Sequence, residues 1–366
     1  MKDSKKKEKI KETKEVDKEE KENKENKEEK LTFKELVIDF FKSFTIKDII
    51  FIIVFILLFT VPLPYYIHVG GGILNVNDRI KVEDEYKEKG SFNLAYVRQR
   101  NSIIPVYLLS YLFDWERVPM SAYQIEDDES DEIIWERQKM YQQESIDSAI
   151  ISAFKEAGED IKITDESLLV LGLMEESDTD LKINDKIISI DGKKIVTEQD
   201  IEDLKDQYEV GYDLEIVVER NKKERKCHCT IYEYEGRKVL GVYLLRQYKY
   251  DTSKKVDIEF REAEGGSSGG FMMALTIYNR LTKEDLSHGK KIVGTGTIDT
   301  EGNIGEIGGI KYKLKGAVSK KADIFFALED DNYNDAIKEK KKNNYDIEIV
   351  KVKTLRDAIE YLENIK

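Results

Sequence analysis

The sequence predicts an α+β protein with a single N-terminal transmembrane helix and two folded regions behind it. Three observations lead there: an uncharged apolar run from Ile49 to Ile67, a strand-rich stretch around one helix over 160–247, and a Gly/Ser loop near 264–270 that joins a strand to an apolar helix. With 366 residues the chain has room for two ordinary domains plus accessory segments. Its formal net charge of −14 gives a nucleic-acid partner no support.

Residues 1–30 alternate Lys and Glu and carry almost no apolar side chain, so they read as a disordered charged cytoplasmic tail. Over 31–46, Phe33, Leu36, Val37, Phe40, Phe41 and Phe44 recur at helical spacing, which suits an amphipathic helix against a membrane face. The expected transmembrane helix is 47–68. Roughly nineteen uncharged residues at about 1.5 Å each nearly match a hydrocarbon core of about 30 Å. Pro62, Pro64, Tyr65 and Tyr66 close the run. The Lys-rich lead-in, against no Lys or Arg from Ile67 to Asn77, places the N-terminus in the cytoplasm and the rest outside. The expected localisation is therefore a single-pass cell-membrane protein, held by one uncleaved helix. Residues 70–157 read as short strands near 78–84 and 91–98, then mainly helix up to Gly158.

Over 160–247, Leu168–Leu173 is an apolar strand, Asp191-Gly192 is a turn, and Thr197 caps a helix running to about Tyr208. Leu214–Arg220 pairs by alternation with Lys226–Tyr232. Cys227 and Cys229 share one strand face. They are too close along the chain for an unstrained bridge and too few for a metal site, so no metal and no cofactor is expected.

The loop Glu264–Phe271 leads from a strand at Lys255–Phe260 into an apolar helix from about Ser268 to Leu281. Small residues there let a carbonyl approach backbone N–H groups at a helix start, the requirement of an oxyanion site. Such a serine needs a base. The three histidines, His68, His228 and His288, lie in contexts that suit structural or exposed roles. Lysine is the remaining candidate, and it must be desolvated to act as base at neutral pH. The stretch Gly294–Lys313 reads as strand, turn at Glu301-Gly302, strand, then a glycine pair opening a helix that bears Lys311, Lys313 and Lys315.

Two resemblances follow from these residues. Leu181–Gly192 is similar to the Leu-x-x-Gly-Asp-x-Ile-x-x-Ile-x-Gly stretch of PDZ domains in bacterial extracytoplasmic proteases, with Asn184 at the usual Gly. That implies a peptide groove along Leu168, Leu169, Val170, Leu171, Gly172 and Leu173 against the helix 198–208, with Asp165 and Glu166 near its end. The domain either binds substrate or only braces its neighbour. Gly266-Ser267-Ser268-Gly269-Gly270, Thr295-Gly296-Thr297-Ile298, Gly305 and Ile307-Gly308-Gly309 with Lys313 resemble the Lon-type Ser-Lys peptidase domain. The resemblance implies Ser268 as nucleophile and Lys313 as base, with Ser267, Gly269 and Thr295 around the oxyanion and the lysine. Ser267 and Gly269 replace the family's Pro and Ala.

No Gly-x-x-x-x-Gly-Lys-Ser/Thr sequence is present, so ATP is excluded as a driver. The combination resembles the SepM/YlbL-like group of membrane-bound PDZ-Lon proteases. It implies an ATP-independent serine endopeptidase making limited cuts in exported proteins or peptides. An inactive PDZ scaffold or chaperone, and a hydrolase acting on esters, remain as rivals. Oligomeric state is not legible. The PDZ-like domain (160–247) is inserted in, or precedes, the Lon-type domain (250–366). Only about twenty residues separate it from Ser268, so residues 70–157 are expected to supply the front of a split peptidase domain and to pair with the sheet of 255–330.

Overall fold

The computed structural model describes residues 44–365, apart from 114, 126–128, 262, 263 and 265. The charged tail expected at 1–30, and residues 31–43 of the expected amphipathic helix, lie outside the described residues. The first described unit is helix α1 (Ile46–Thr60), opened by a capping box between Thr45 and Asp48 and exposed along its apolar length.

This helix corrects the expected span at 47–68. Its 15 residues reach only about 22 Å, short of a hydrocarbon core of about 30 Å. Among the described residues no helix is long and apolar enough to cross a membrane. The rest of the run belongs to strand β1 (Pro62–Asn75), in which Tyr66 and Ile67 are buried. The cause is proline: Pro62 and Pro64 lack the N–H a helix needs, and Tyr66 and Ile67, which follow them, are buried in the strand instead.

In the second unit, β1 is followed by β2 (Ile80–Val82), β3 (Ser91–Ile103), α2 (Ile104–Leu112), β4 (Glu116–Pro119) and the long α3 (Asp131–Ala157). Ser130 caps α3, and Gly158, at φ 68°, stops it. A strand-rich module comes next: β5 (Ile161–Leu173), β6 (Lys186–Ile190), α4 (Glu198–Lys205), β7 (Asp213–Arg220), β8 (Lys223–Thr230) and β9 (Val242–Thr252). The chain then returns through β10 (Val256–Ile258), α5 (Gly270–Leu281), β11 (Lys291–Gly294), β12 (Thr297–Ile298), β13 (Ile304–Gly305), α6 (Ile310–Ser319), β14 (Ile324–Leu328), α7 (Asp331–Asn343), β15 (Glu348–Val352) and α8 (Leu355–Asn364).

The main sheet runs in the order β15-β14-β11-β3-β1-β4. Strands β15, β14, β11 and β3 pair in parallel, which requires cover on both faces and explains the unbroken apolar run Ile324–Leu328. Alternation divides that run: Ile324 and Phe326 pack with α5, α8 and the end of α3, whereas Phe325 and Ala327 pack with α6 and α7. The pairing expected between residues 78–98 and the sheet of 255–330 is present, with Lys291↔Ser91 through Gly294↔Leu94 in parallel and Ile80–Val82 against Val256–Ile258. The strand-rich module is thus carried between two segments that share one sheet.

Within the module the strand order is β9-β5-β6-β7-β8. Asn184 adopts φ 70°, and Asp191-Gly192 makes the tight turn with both residues at positive φ. A Thr197–Asp200 capping box opens α4. Cys227 and Cys229 both point into the module's core.

Candidate active site

Lys313 reaches the interior because α6 lies unusually close to β1. A side chain on Gly71 would begin 2.7 Å from the Tyr312 carbonyl oxygen, and one on Gly316 would meet the Gly72 nitrogen at 2.8 Å. Small residues on both partners permit that approach. Gly309, at φ 71°, opens the helix. Lys313 then points inward and is 4 % exposed, while Lys311 is half-buried and Lys315 exposed. Burial drives the Lys313 ammonium down from its ordinary value to about 7.

Its amine donates to Thr295 Oγ1 at 3.0 Å, and the Thr295 hydroxyl donates to the Ser268 carbonyl at 3.3 Å. The Gly296 N–H reaches the same carbonyl at 3.0 Å. Ser268, Thr295 and Lys313 are therefore brought together through one main-chain oxygen. Ser268 itself is half-buried and lines a cleft of about 940 Å³. Among the described residues its hydroxyl makes no direct hydrogen bond to Lys313, whose amine donates to Thr295.

The expected helix from Ser268 begins two residues later, at Gly270, with Ser268 in the turn before it. The Gly270 N–H is held by Ser267 O at 3.3 Å and the Phe271 N–H by Gly296 O at 3.2 Å. Among the described residues the N–H groups of Ser268 and Gly269 have no acceptor, which leaves two donors beside the hydroxyl.

Three residues of α3 hold this turn in place, and the sequence reading missed them. Ser145 Oγ donates to Ser267 O at 2.9 Å, the Gln138 carbonyl accepts from the Gly266 N–H at 3.4 Å, and the Gln142 amide donates to Glu264 O. Their spacing puts them on one helical stripe. The inner face of α3 also buries Arg137, Asp147, Ser148 and Ser152, so a polar residue there is no signal of its own.

The histidines lie elsewhere. His68 contacts Glu116 at 3.1 Å and Tyr123 at 3.0 Å, His228 contacts Asp213 at 3.2 Å, and His288 contacts the Leu362 carbonyl at 2.9 Å. His68 is buried within the main sheet.

The expected peptide groove is corrected. Leu168, Leu169, Val170, Leu171, Gly172 and Leu173 form part of an interior strand, paired with Val242–Arg246 on one side and, at Leu168 and Leu169, with Ile187 and Lys186 on the other. At Leu168 and Leu169 both edges are taken, so no guest strand adds there. The module's cleft, of about 320 Å³, lies instead between α4 and the Val242–Leu244 stretch of the edge strand β9. Asp165 pairs with Lys186 at 2.9 Å and does not line it.

Part of the chain is similar in structure to a PDZ domain. One such match is the PDZ domain of an SdrC-like protein from Listeria monocytogenes, at 21% sequence identity and a TM-score of 0.21, covering 23% of this chain and 93% of that one. Neither family models nor curated proteins give a match.

The arrangement around Ser268 has the components of acyl transfer: a hydroxyl open to a cleft, two unclaimed N–H donors, and a buried amine whose proton is held loosely near neutral pH. Thr295 sits between amine and turn. Ser267 contributes its carbonyl to the Ser145 and Gly270 contacts, and so acts on the shape of the turn.

Proposed function

We propose that the chain is an ATP-independent serine endopeptidase that cleaves protein or peptide substrates, with Ser268 as nucleophile and Lys313 as general base. The observation that carries this reading is the buried Lys313 amine, brought to about 7 and joined through Thr295 to the main chain of Ser268. The residue pattern shared with Lon-type Ser-Lys peptidases supports the same roles.

Neutral Lys313 takes the Ser268 proton as the oxygen attacks the substrate carbonyl. The oxyanion is met by the Ser268 and Gly269 N–H groups. Lys313 then returns its proton to the leaving amine, and the acyl-enzyme is cleared by a water that Lys313 deprotonates. The α4–β9 cleft fits an extended peptide segment added alongside Val242–Leu244, which would hold substrate in the manner of a PDZ domain.

The test is cleavage of casein and short peptides by the purified full chain beside Ser268→Ala and Lys313→Ala. Loss of cleavage in both variants is expected. Equal cleavage by all three would assign the activity to a contaminant or another site, and ester turnover without peptide cleavage would favour a hydrolase of a different class.

A further inference from the structure

The cleft in front of Ser268 is opposite in charge to the chain around it. The chain carries −14, yet the cleft is lined by four arginines, Arg79, Arg98, Arg100 and Arg261, against two carboxylates, Asp131 and Glu264. Both carboxylates are already engaged. Glu264 pairs with Arg79 at 2.7 Å and accepts from the Arg261 main-chain N–H at 3.0 Å. Asp131 accepts from the Tyr66 hydroxyl at 2.7 Å and from Asn101 Nδ2 at 3.2 Å. Arg98, Arg100 and Arg261 are exposed, and among the described residues their guanidinium groups have no ion pair or hydrogen bond.

Strand register says where these charges fall along a substrate. β3 pairs with β11 only as far as Leu94↔Gly294, and among the described residues no strand continues along that edge beyond Leu94. Leu94 marks the nucleophile, because a side chain on Gly269 would meet Leu94 Cδ2 at 2.9 Å. Arg98 and Arg100 share the Leu94 face of the strand and lie about 13 and 20 Å further along. An extended peptide lying beside β3 with its reacting bond at Ser268 passes them about four and six residues from that bond.

The geometry points to a cleft that selects peptides with acidic side chains about four to six residues to one side of the bond that is cut. The inference rests on the peptidase reading and adds its substrate class. Unpaired guanidinium groups attract carboxylates and repel lysines at those positions, so selection has both a favourable and an unfavourable arm.

The experiment uses quenched peptides of equal length carrying Glu, Gln or Lys at the fourth and sixth positions on either side of a common apolar centre. The full chain is expected to give kcat/KM in the order Glu, Gln, Lys on one side, with about a tenfold span that narrows at high salt. The Arg98→Glu/Arg100→Glu double variant reverses the order, and Arg98→Lys/Arg100→Lys keeps it. An unchanged Glu-to-Lys ratio in the charge-reversed variant overturns the proposal. If no peptide is cut, the peptidase reading fails, and fluorescence anisotropy on the Ser268→Ala chain decides the charge assignment separately. Tighter binding of the Glu peptide, reversed by the same double substitution, supports it. Equal binding of Glu and Lys peptides, or none, overturns it.

Discussion

Lys313 Nζ donates to Thr295 Oγ1 at 3.0 Å, inside a site where the lysine is 4 % exposed. This bond orients an amine that has no ion-pair partner among the described residues, and it stabilises the charged amine more than the neutral one. Thr295→Val is expected to lower kcat about 10- to 100-fold, part of the roughly 10²–10⁴-fold supplied by general base catalysis. It is also expected to move the rising limb of the pH–rate curve to lower pH, because the ammonium loses its acceptor. Thr295→Ser keeps the hydroxyl and should restore both.

Burial of Lys313 has a stability consequence. Its folded-state value, about 7, lies below the ordinary 10.5. Between those values the unfolded chain holds the proton that the folded chain has released, so this group makes stability rise with pH from about 7 to 10. Below 7 the full cost of a buried charge is present. Lys313→Met is therefore expected to raise the unfolding free energy at pH 6 by about 5 kcal/mol, less about 1 kcal/mol for the lost hydrogen bond. Denaturant melts at pH 6 and pH 9 check this, with the larger gain at pH 6.

The turn that bears Ser268 is packed without slack. A side chain on Gly270 would meet Ser145 Oγ at 2.5 Å, Ile298 Cγ2 at 2.9 Å and the Ile298 nitrogen at 3.2 Å. Gly270→Ala is expected to cost about 1–3 kcal/mol as an overpacked site. Ser145→Ala removes the donor to Ser267 O and is expected to cost about 1 kcal/mol while lowering kcat more than it changes KM. Thermal melts and steady-state kinetics separate the two effects.

Asp147 joins α3 to β9 through the Tyr250 hydroxyl at 3.2 Å and accepts from Gln143 at 2.9 Å. It is 4 % exposed, and burial pushes its carboxyl up to about 6 against these hydrogen bonds. A raised value means stability is fully present below about 4 and lost as pH climbs through about 6, by about 2–3 kcal/mol. Asp147→Asn is expected to be more stable than the parent at pH 7.5 and no more stable at pH 4. Equal stability at both pH values would place the carboxyl in contact with water.

The sequence made some of this legible and hid the rest for physical reasons. Ser268, Thr295 and Lys313 stand out because local features mark them: small residues before a helix, a glycine pair opening another, and a lysine in an apolar register. Ser145, Gln138 and Gln142 carry no such mark, since they act across about 120 residues of chain on a loop they meet only in the fold. The groove expected on Leu168–Leu173 follows from the PDZ resemblance, and it falls on an interior strand. Unbroken apolar character marks a strand covered on both sides, whereas the edge strand β9 alternates between half-buried and exposed. The apolar run after Ile46 was read as one helix because hydropathy alone does not separate a short helix from the buried start of a sheet. Pro62 and Pro64 do.

The most direct measurement is the rate at which a fluorophosphonate probe modifies Ser268, followed by mass spectrometry from pH 5 to 10 in the full chain and in Lys313→Met. The parent rate should rise through about 7 and level off, as the buried amine loses its proton, and Lys313→Met should remain slow throughout. Equal labelling of both proteins, or a parent rate that rises only near pH 10, would contradict the assignment of Lys313 as the base.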